Sequence, residues 1–222
     1  MMGGKGLIAA AQVFVMASCL ACSAPNPNIR AHRLPDGSVE VEGPLAGPFQ
    51  TMEELAEKSC AIMTDQPGAS NGAYGSEYCA LYYYSRSSDG YFLSYLSDIK
   101  NRLDSELKTC VVPSSIDDRE HRDAIILGKA HTHPNNRRLS FNDMSVAAHW
   151  YPTRAADSET GRVWHRGVML FYREKTGGCS AYLYDNVTRL VMALRGGKWV
   201  AIGKAYDEKG NVEMLKGMDW LP

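Results

Sequence analysis

The sequence predicts an α+β fold in a single domain, with a mixed β-sheet flanked by a few helices. Three observations lead to this prediction. Short segments rich in β-branched and aromatic residues recur along the chain, often in pairs around Gly-containing turns. Patterns typical of helix starts occur at Thr51 and Ser140. The 222 residues suffice for one core, and neither repeats nor low-complexity segments are present.

The elements follow from these patterns in chain order. Thr51 and Glu54 form a capping-box pattern, which predicts a helix beginning at residue 52. Ser140 is a suitable N-cap for a later helix. The predicted elements are a helix over 52–63, strands over 77–84 and 91–95, a helix over 97–108, strands over 109–112 and 124–130, a helix over 140–150, and strands over 162–173, 179–184, 190–194 and 198–203.

The charge balance excludes one class of partner. Lys and Arg together number 24 and Asp and Glu 25, so the formal net charge is −1. Nucleic-acid binding normally needs a concentrated basic face, and this composition provides none. We therefore expect no nucleic-acid partner.

The first residues predict export. Lys5 precedes an apolar run over 7–20, which is short for a membrane span and ends in small residues and cysteines. This pattern resembles a bacterial lipoprotein signal peptide over 1–22, with Cys19 or Cys22 as the acylated residue and Cys19 preferred. We expect a lipid-anchored protein on the periplasmic or outer face of the bacterial cell envelope.

The rest of the chain divides into two parts. Residues 23–48 hold Pro, Asn and Gly with little apolar periodicity and are predicted to be a flexible tether, followed by the domain over 49–222. A short edge strand over 37–42 is possible within the tether. Four cysteines follow the predicted signal peptide. An even number in an oxidising compartment predicts one or two disulfides, and three pairings are possible if all four are joined. These cysteines are Cys60, Cys79, Cys110 and Cys179.

One cluster of residues predicts a metal site. Side chains two residues apart on a strand point the same way, so His131 and His133 share a face at the end of the strand that Pro134 terminates. Asp143 follows in the first turn of the next helix. Two histidines and one carboxylate leave a fourth tetrahedral position open, as in catalytic zinc sites. We therefore expect bound Zn²⁺.

The segments HTHP at 131–134 and SFND at 140–143 resemble the JAMM motif of the JAB/MPN metalloprotease superfamily. The resemblance covers roughly 52–204. It implies a JAB/MPN-like, cytidine-deaminase-like fold and a zinc-dependent metallopeptidase. The chain departs from the common form of the motif in one respect, because nine rather than ten residues separate His133 from Asp143. The missing residue falls within 135–139.

The resemblance also implies roles for two further residues. Glu77 would act as general base and then acid, with Glu106 and Glu120 as competing candidates. Ser140 would donate a hydrogen bond to the developing oxyanion. The expected substrate is an amide or isopeptide bond in a peptide or protein, with cell-wall peptides among the candidates. The alternative is a non-catalytic metal-binding lipoprotein that acts as a protein-interaction module.

Overall fold

The structure is a computed structural model that describes residues 25–100 and 109–221. The predicted signal peptide over 1–22, with Cys19 and Cys22, lies outside the described residues. Within the described ranges, no helix is long and apolar enough to cross a membrane.

The predicted helix-flanked α+β fold is wrong, because the described chain is mostly β. The helix-flanked JAB/MPN-like, cytidine-deaminase-like fold that the resemblance implies is not what the strands form. It forms fourteen strands and only two α-helices, α1 (Met52–Thr64) and α2 (Phe141–Met144), and α2 is a single turn. The strands are β1 (Ala31–Arg33), β2 (Val39–Glu42), β3 (Ala46–Phe49), β4 (Cys79–Ser85), β5 (Gly90–Leu93), β6 (Ser115–Asp117), β7 (Ile125–Thr132), β8 (Arg154–Ala156), β9 (Val163–His165), β10 (Gly167–Arg173), β11 (Cys179–Asp185), β12 (Leu190–Arg195), β13 (Lys198–Ala205) and β14 (Val212–Met214).

Nine of the strands form the main sheet, in the order β14-β13-β12-β11-β10-β7-β4-β5-β3. All neighbours in it are antiparallel except β7 and β10, which run parallel. A parallel pair needs a crossover connection, and here it is the segment 133–166. This segment carries α2, a 3₁₀ turn at Val146–Ala148 and the β8–β9 hairpin. The crossover therefore starts at the C-terminal end of a central strand.

The first predicted helix is confirmed as α1. The Thr51 hydroxyl accepts a hydrogen bond from the Glu54 backbone N–H at 3.1 Å, as the capping pattern predicts. The Glu54 carboxylate accepts from the N–H of Gln50, one residue before the expected partner, at 2.9 Å. Leu55 and Met63 are fully buried against one face of the main sheet. The first part of the crossover, with Leu139 and Met144, packs in a separate cluster with Val168 and Leu170 of β10.

The helix predicted over 140–150 ends after one turn. Ser145 is extended, with φ −62° and ψ 147°. The N–H of Val146 donates to the carbonyl of Glu208 at 2.9 Å, in the turn between β13 and β14. This long-range bond replaces the one that a continuing helix would make within itself, so the local pattern could not predict the end.

The predicted tether over 23–48 is also corrected. Its described part holds β1, β2 and most of β3, and the domain boundary expected at residue 49 falls within β3. Val39 and Val41 are buried, and β2 pairs with β6 in a three-stranded sheet. The sequence allowed a short edge strand over 37–42, but β2 is the central strand of this sheet, and its pairing with the distant β6 is not encoded in a local pattern.

Two disulfides form, which settles the pairing that the sequence left open. Cys60–Cys179 joins α1 to β11. Cys79–Cys110 joins the start of β4 to residues 109–112, which form no strand, in contrast to the prediction. The predicted helix over 97–108 falls mostly outside the described residues, and 97–100 are not helical.

Candidate metal site

Strand β7 supplies both histidines. His131 lies between Leu170 of β10 and Cys79 of β4 in the sheet register. His133 follows the strand, and its backbone N–H donates to the Phe171 carbonyl at 3.0 Å, which holds it against β10. Both imidazoles are largely buried, with 6% and 10% of their side-chain surface exposed. The sheet therefore fixes both rings before any ligand arrives.

The crossover segment supplies the carboxylate. Asp143 lies in α2, where it and Ser140 form a reciprocal capping box. The N–H and the hydroxyl of Ser140 both donate to Oδ2 of Asp143 at 2.7 Å, and the Ser140 hydroxyl accepts from the Asp143 N–H at 3.2 Å. These bonds orient the carboxylate towards the histidines.

The three side chains converge on one point. Nε2 of His131 lies 3.1 Å from Nε2 of His133 and 3.3 Å from Oδ1 of Asp143. Nε2 of His133 lies 3.6 Å from Oδ2 of Asp143. A tetrahedral site with metal–ligand bonds of about 2.0–2.1 Å has ligand atoms about 3.3–3.4 Å apart. This group can therefore hold a metal ion.

Glu77 lies beside this group, two residues before β4. Its Oε1 is 4.0 Å from Nε2 of His133, and 16% of its side chain is exposed. The next residue, Tyr78, donates its N–H to Oγ1 of Thr132 at 3.0 Å and accepts from the Thr132 N–H at 3.1 Å. The backbone N–H of Cys110 also bonds to the Glu77 carboxylate. Strand β7 and the disulfide-linked segment therefore position Glu77.

The four side chains perturb one another's ionisation. Burial raises the pKa of Glu77 to about 7. Burial, together with the charge on His131, lowers the pKa of His133 to about 4. Burial also opposes charge on His131 and Asp143, but their mutual attraction outweighs it, so the pKa of His131 is raised and that of Asp143 lies well below its usual range. An ionised Asp143 beside a neutral His133 is the state in which these groups bind metals.

The site opens into a cleft of about 410 Å³. Lys129, two residues before His131, reaches this cleft on the same face of β7, and the sequence reasoning did not select it. The alternation that pairs His131 with His133 extends to Lys129 and would have found it. The cleft is lined by Glu77, Cys79, Thr109, Cys110, Val112, Lys129, His131, His133, Pro134, Asn135, Asn136, Ser140, Asn142 and Asp143.

The structure thus brings five predicted site residues together, namely Glu77, His131, His133, Ser140 and Asp143. Of the competing carboxylates, Glu120 is exposed and lines a different cleft, near Asp117, and Glu106 lies outside the described residues. Thr132, between the two histidines, is not among the predicted site residues, but its hydroxyl bonds the backbone next to Glu77. In comparisons with protein-family models, curated proteins and solved structures, nothing matched this chain.

Proposed function

We propose that the protein is a zinc-dependent metallopeptidase that hydrolyses an amide or isopeptide bond in a peptide or protein. One observation carries the proposal: the convergent group of His131, His133 and Asp143 shares its cleft with the Glu77 carboxylate, 4.0 Å from His133. The resemblance of the HTHP and SFND segments to the JAMM motif supports the same activity.

The donor set fits zinc. Two imidazole nitrogens and one carboxylate oxygen are common ligands of catalytic zinc, and the spacing of these atoms matches a tetrahedral site. When bound, zinc supplies Lewis acidity, which polarises a carbonyl and makes water a better nucleophile at neutral pH. His131, His133 and Asp143 would hold the ion.

Glu77 would move the proton. Its carboxylate takes a proton from the attacking water as the water oxygen bonds to the substrate carbonyl carbon. The same proton then passes to the amide nitrogen as the C–N bond breaks, so the products are a carboxylic acid and an amine. A largely buried carboxylate held by the neighbouring backbone suits this exchange.

Ser140 would stabilise the negative charge that develops on the substrate carbonyl oxygen. Its hydroxyl proton is directed at Asp143, so this role requires the hydroxyl to rotate. Rotation leaves Oδ2 of Asp143 bonded, because the Ser140 backbone N–H donates to the same oxygen at 2.7 Å. The signal-like segment over 1–22 extends the proposal to the cell envelope, where cell-wall peptides and envelope proteins are the substrates to test.

The metal site is tested by measuring zinc in the purified domain and in a His131→Ala/His133→Ala variant. We expect about one zinc ion per chain in the wild type and almost none in the variant, because two of the three ligands are lost. His149→Ala is the matched control, since His149 instead bonds Tyr184, at 3.2 Å. Equal zinc in all three proteins would contradict the site.

Catalysis is tested separately with Glu77→Gln. This change removes the proton acceptor but none of the three converging ligands, so we expect hydrolysis to fall at least 100-fold while the zinc content stays the same. Hydrolysis is assayed on peptide, isopeptide and cell-wall substrates. A wild type that binds zinc but cleaves none of them favours the alternative, a metal-binding interaction module.

A further inference from the structure

Lys129 is a cation that the proposed reaction leaves without a role. It is only partly exposed, and its ammonium group makes one hydrogen bond, to the Ala148 carbonyl at 3.2 Å. Within residues 25–100 and 109–221, no carboxylate oxygen lies within 4.0 Å of this group. An ammonium group has three donors, and partial burial without a counter-ion is costly. Among the described residues, the two remaining donors have no acceptor and are available to a ligand.

A second cleft adjoins the metal cleft at Lys129. It has a volume of about 310 Å³ and shares Lys129 and Val112 with the metal cleft. We call it the aromatic cleft, because ring-bearing residues form its outer wall. It is lined chiefly by Val112, Pro113, Lys129, His149, Trp150 and Tyr151.

Contacts with neighbouring side chains hold His149 and Trp150 of this cleft in place. The His149 ring bonds the Tyr184 hydroxyl, and the guanidinium of Arg166 lies over the Trp150 ring, 5.7 Å from its centre. Arg166 is itself bonded to the carbonyls of Ile126 and Pro152, both at 3.1 Å. These contacts hold the aromatic cleft in place. The cleft reaches Lys129, which lies two residues before His131.

We propose that the aromatic cleft binds the substrate residue next to the scissile bond, and that Lys129 pairs with a free carboxylate on that residue. The inference rests on the proposed peptidase function and narrows its substrates to peptides with a carboxylate beside the cleaved bond. The carboxylate is either the peptide's C-terminus or an acidic side chain. An apolar or aromatic group then packs on the ring-bearing wall.

Charge complementarity supports this occupant. A neutral peptide would leave the Lys129 ammonium unpaired in a narrower, drier space, whereas a carboxylate supplies the missing counter-ion. Lys129 and His131 are two residues apart on one face of β7, which is about 7 Å along the strand. The Lys129 side chain therefore enters the cleft from the same side of the sheet as His131 and His133.

The test measures binding without turnover. Zinc-loaded Glu77→Gln protein is titrated by calorimetry with acetyl-Ala-Phe as the free acid and as the amide, and with acetyl-Ala-Glu-amide against acetyl-Ala-Gln-amide. We expect at least tenfold tighter binding of the carboxylate member of one pair, and that pair identifies the source of the carboxylate. Equal affinities in both pairs, or no binding of any peptide, would overturn the inference.

A second substitution in the Glu77→Gln protein tests whether Lys129 causes the preference for the carboxylate peptide. Lys129→Met should abolish it, whereas Lys129→Arg and the exposed-site control Lys198→Met should keep it. A preference that survives Lys129→Met would place the carboxylate on the metal instead and overturn the inference. Unfolding midpoints confirm that each variant is folded, and Lys129→Gln, which also removes the charge, replaces Lys129→Met should the latter not fold.

The two proposals fail in different ways. Wild-type hydrolysis of acids and amides at equal rates would overturn the role of Lys129 and leave the peptidase standing. Lys129-dependent binding of carboxylates without hydrolysis by the wild type would overturn the peptidase and keep the carboxylate site.

Discussion

The Thr132 hydroxyl shows how a single residue links the metal ligands to the proposed base. Thr132 lies between His131 and His133, and its side chain points to the other face of β7. There it accepts the Tyr78 N–H at 3.0 Å, so the residue after Glu77 is held against the histidine strand. Thr132 and Tyr78 are both buried, so no water can replace this bond.

We expect Thr132→Val to lower the free energy of unfolding by about 1–3 kcal/mol, because it leaves the buried Tyr78 N–H without an acceptor. It should also lower kcat, since Glu77 loses its support, while the zinc content stays unchanged. Thr132→Ser keeps the hydroxyl and is the control. Urea unfolding and peptide hydrolysis measure the two effects, and a Val variant that matches the Ser variant in both would contradict the prediction.

At the scale of elements, the two disulfides have different tasks. Cys60–Cys179 closes a separation of 119 residues and joins α1 to β11, on the sheet face opposite the site. Cys79–Cys110 closes only 31 residues, but Cys79 lies opposite His131 and Cys110 bonds Glu77 and lines the cleft. One bond therefore stabilises the fold, and the other also shapes the site.

Removing one disulfide should mainly affect stability, and removing the other should mainly affect hydrolysis. Cys60→Ala/Cys179→Ala should lower the free energy of unfolding more, because a longer loop loses more unfolded-state restraint, with about 2–5 kcal/mol expected for either pair. Cys79→Ala/Cys110→Ala should reduce kcat and raise KM more. Denaturant unfolding and steady-state hydrolysis of the two variants are compared directly. Equal kinetic losses in both would remove the special role of Cys79–Cys110.

For the whole molecule, a buried polar network joins the small sheet to the main one. Asp118, just after β6, accepts from the Tyr83 hydroxyl of β4 at 2.5 Å, and its Oδ2 lies 2.8 Å from Nδ1 of His121. Its other oxygen accepts the backbone N–H groups of Glu120 and His121 at 3.0 Å. Burial opposes ionisation of Asp118, but these hydrogen bonds outweigh it and lower its pKa.

This network predicts an acid limit to stability. A carboxyl whose pKa is lower in the folded than in the unfolded state stabilises the fold above the unfolded pKa of about 3.9, and this contribution is lost as pH falls through the folded pKa. Asp118→Asn should therefore destabilise the protein at pH 7 and have a shrinking effect below about pH 4. Unfolding free energies at pH 7 and pH 3 measure this. A destabilisation that is the same at both pH values would contradict it.

The sequence by itself determined the features that local patterns encode. The capping box at Thr51 predicted α1, and the apolar run before His131 predicted β7. Alternation along a strand placed His131 and His133 on one face, and the N-terminal position of Asp143 in α2 followed from Ser140. These features depend on neighbours within about ten residues, which is why they can be predicted from one sequence.

Only the tertiary structure decided what depends on distant contacts. The mostly β architecture, the packing of 25–48 and the early end of α2 arise from strand pairing and hydrogen bonds across long separations. The disulfide pairing and the position of Glu77 beside His133 have the same origin. The proposed role of Lys129 in substrate binding depends on two clefts that meet at this residue. Such contacts are set by which strands become neighbours, and local propensity carries no information about that choice.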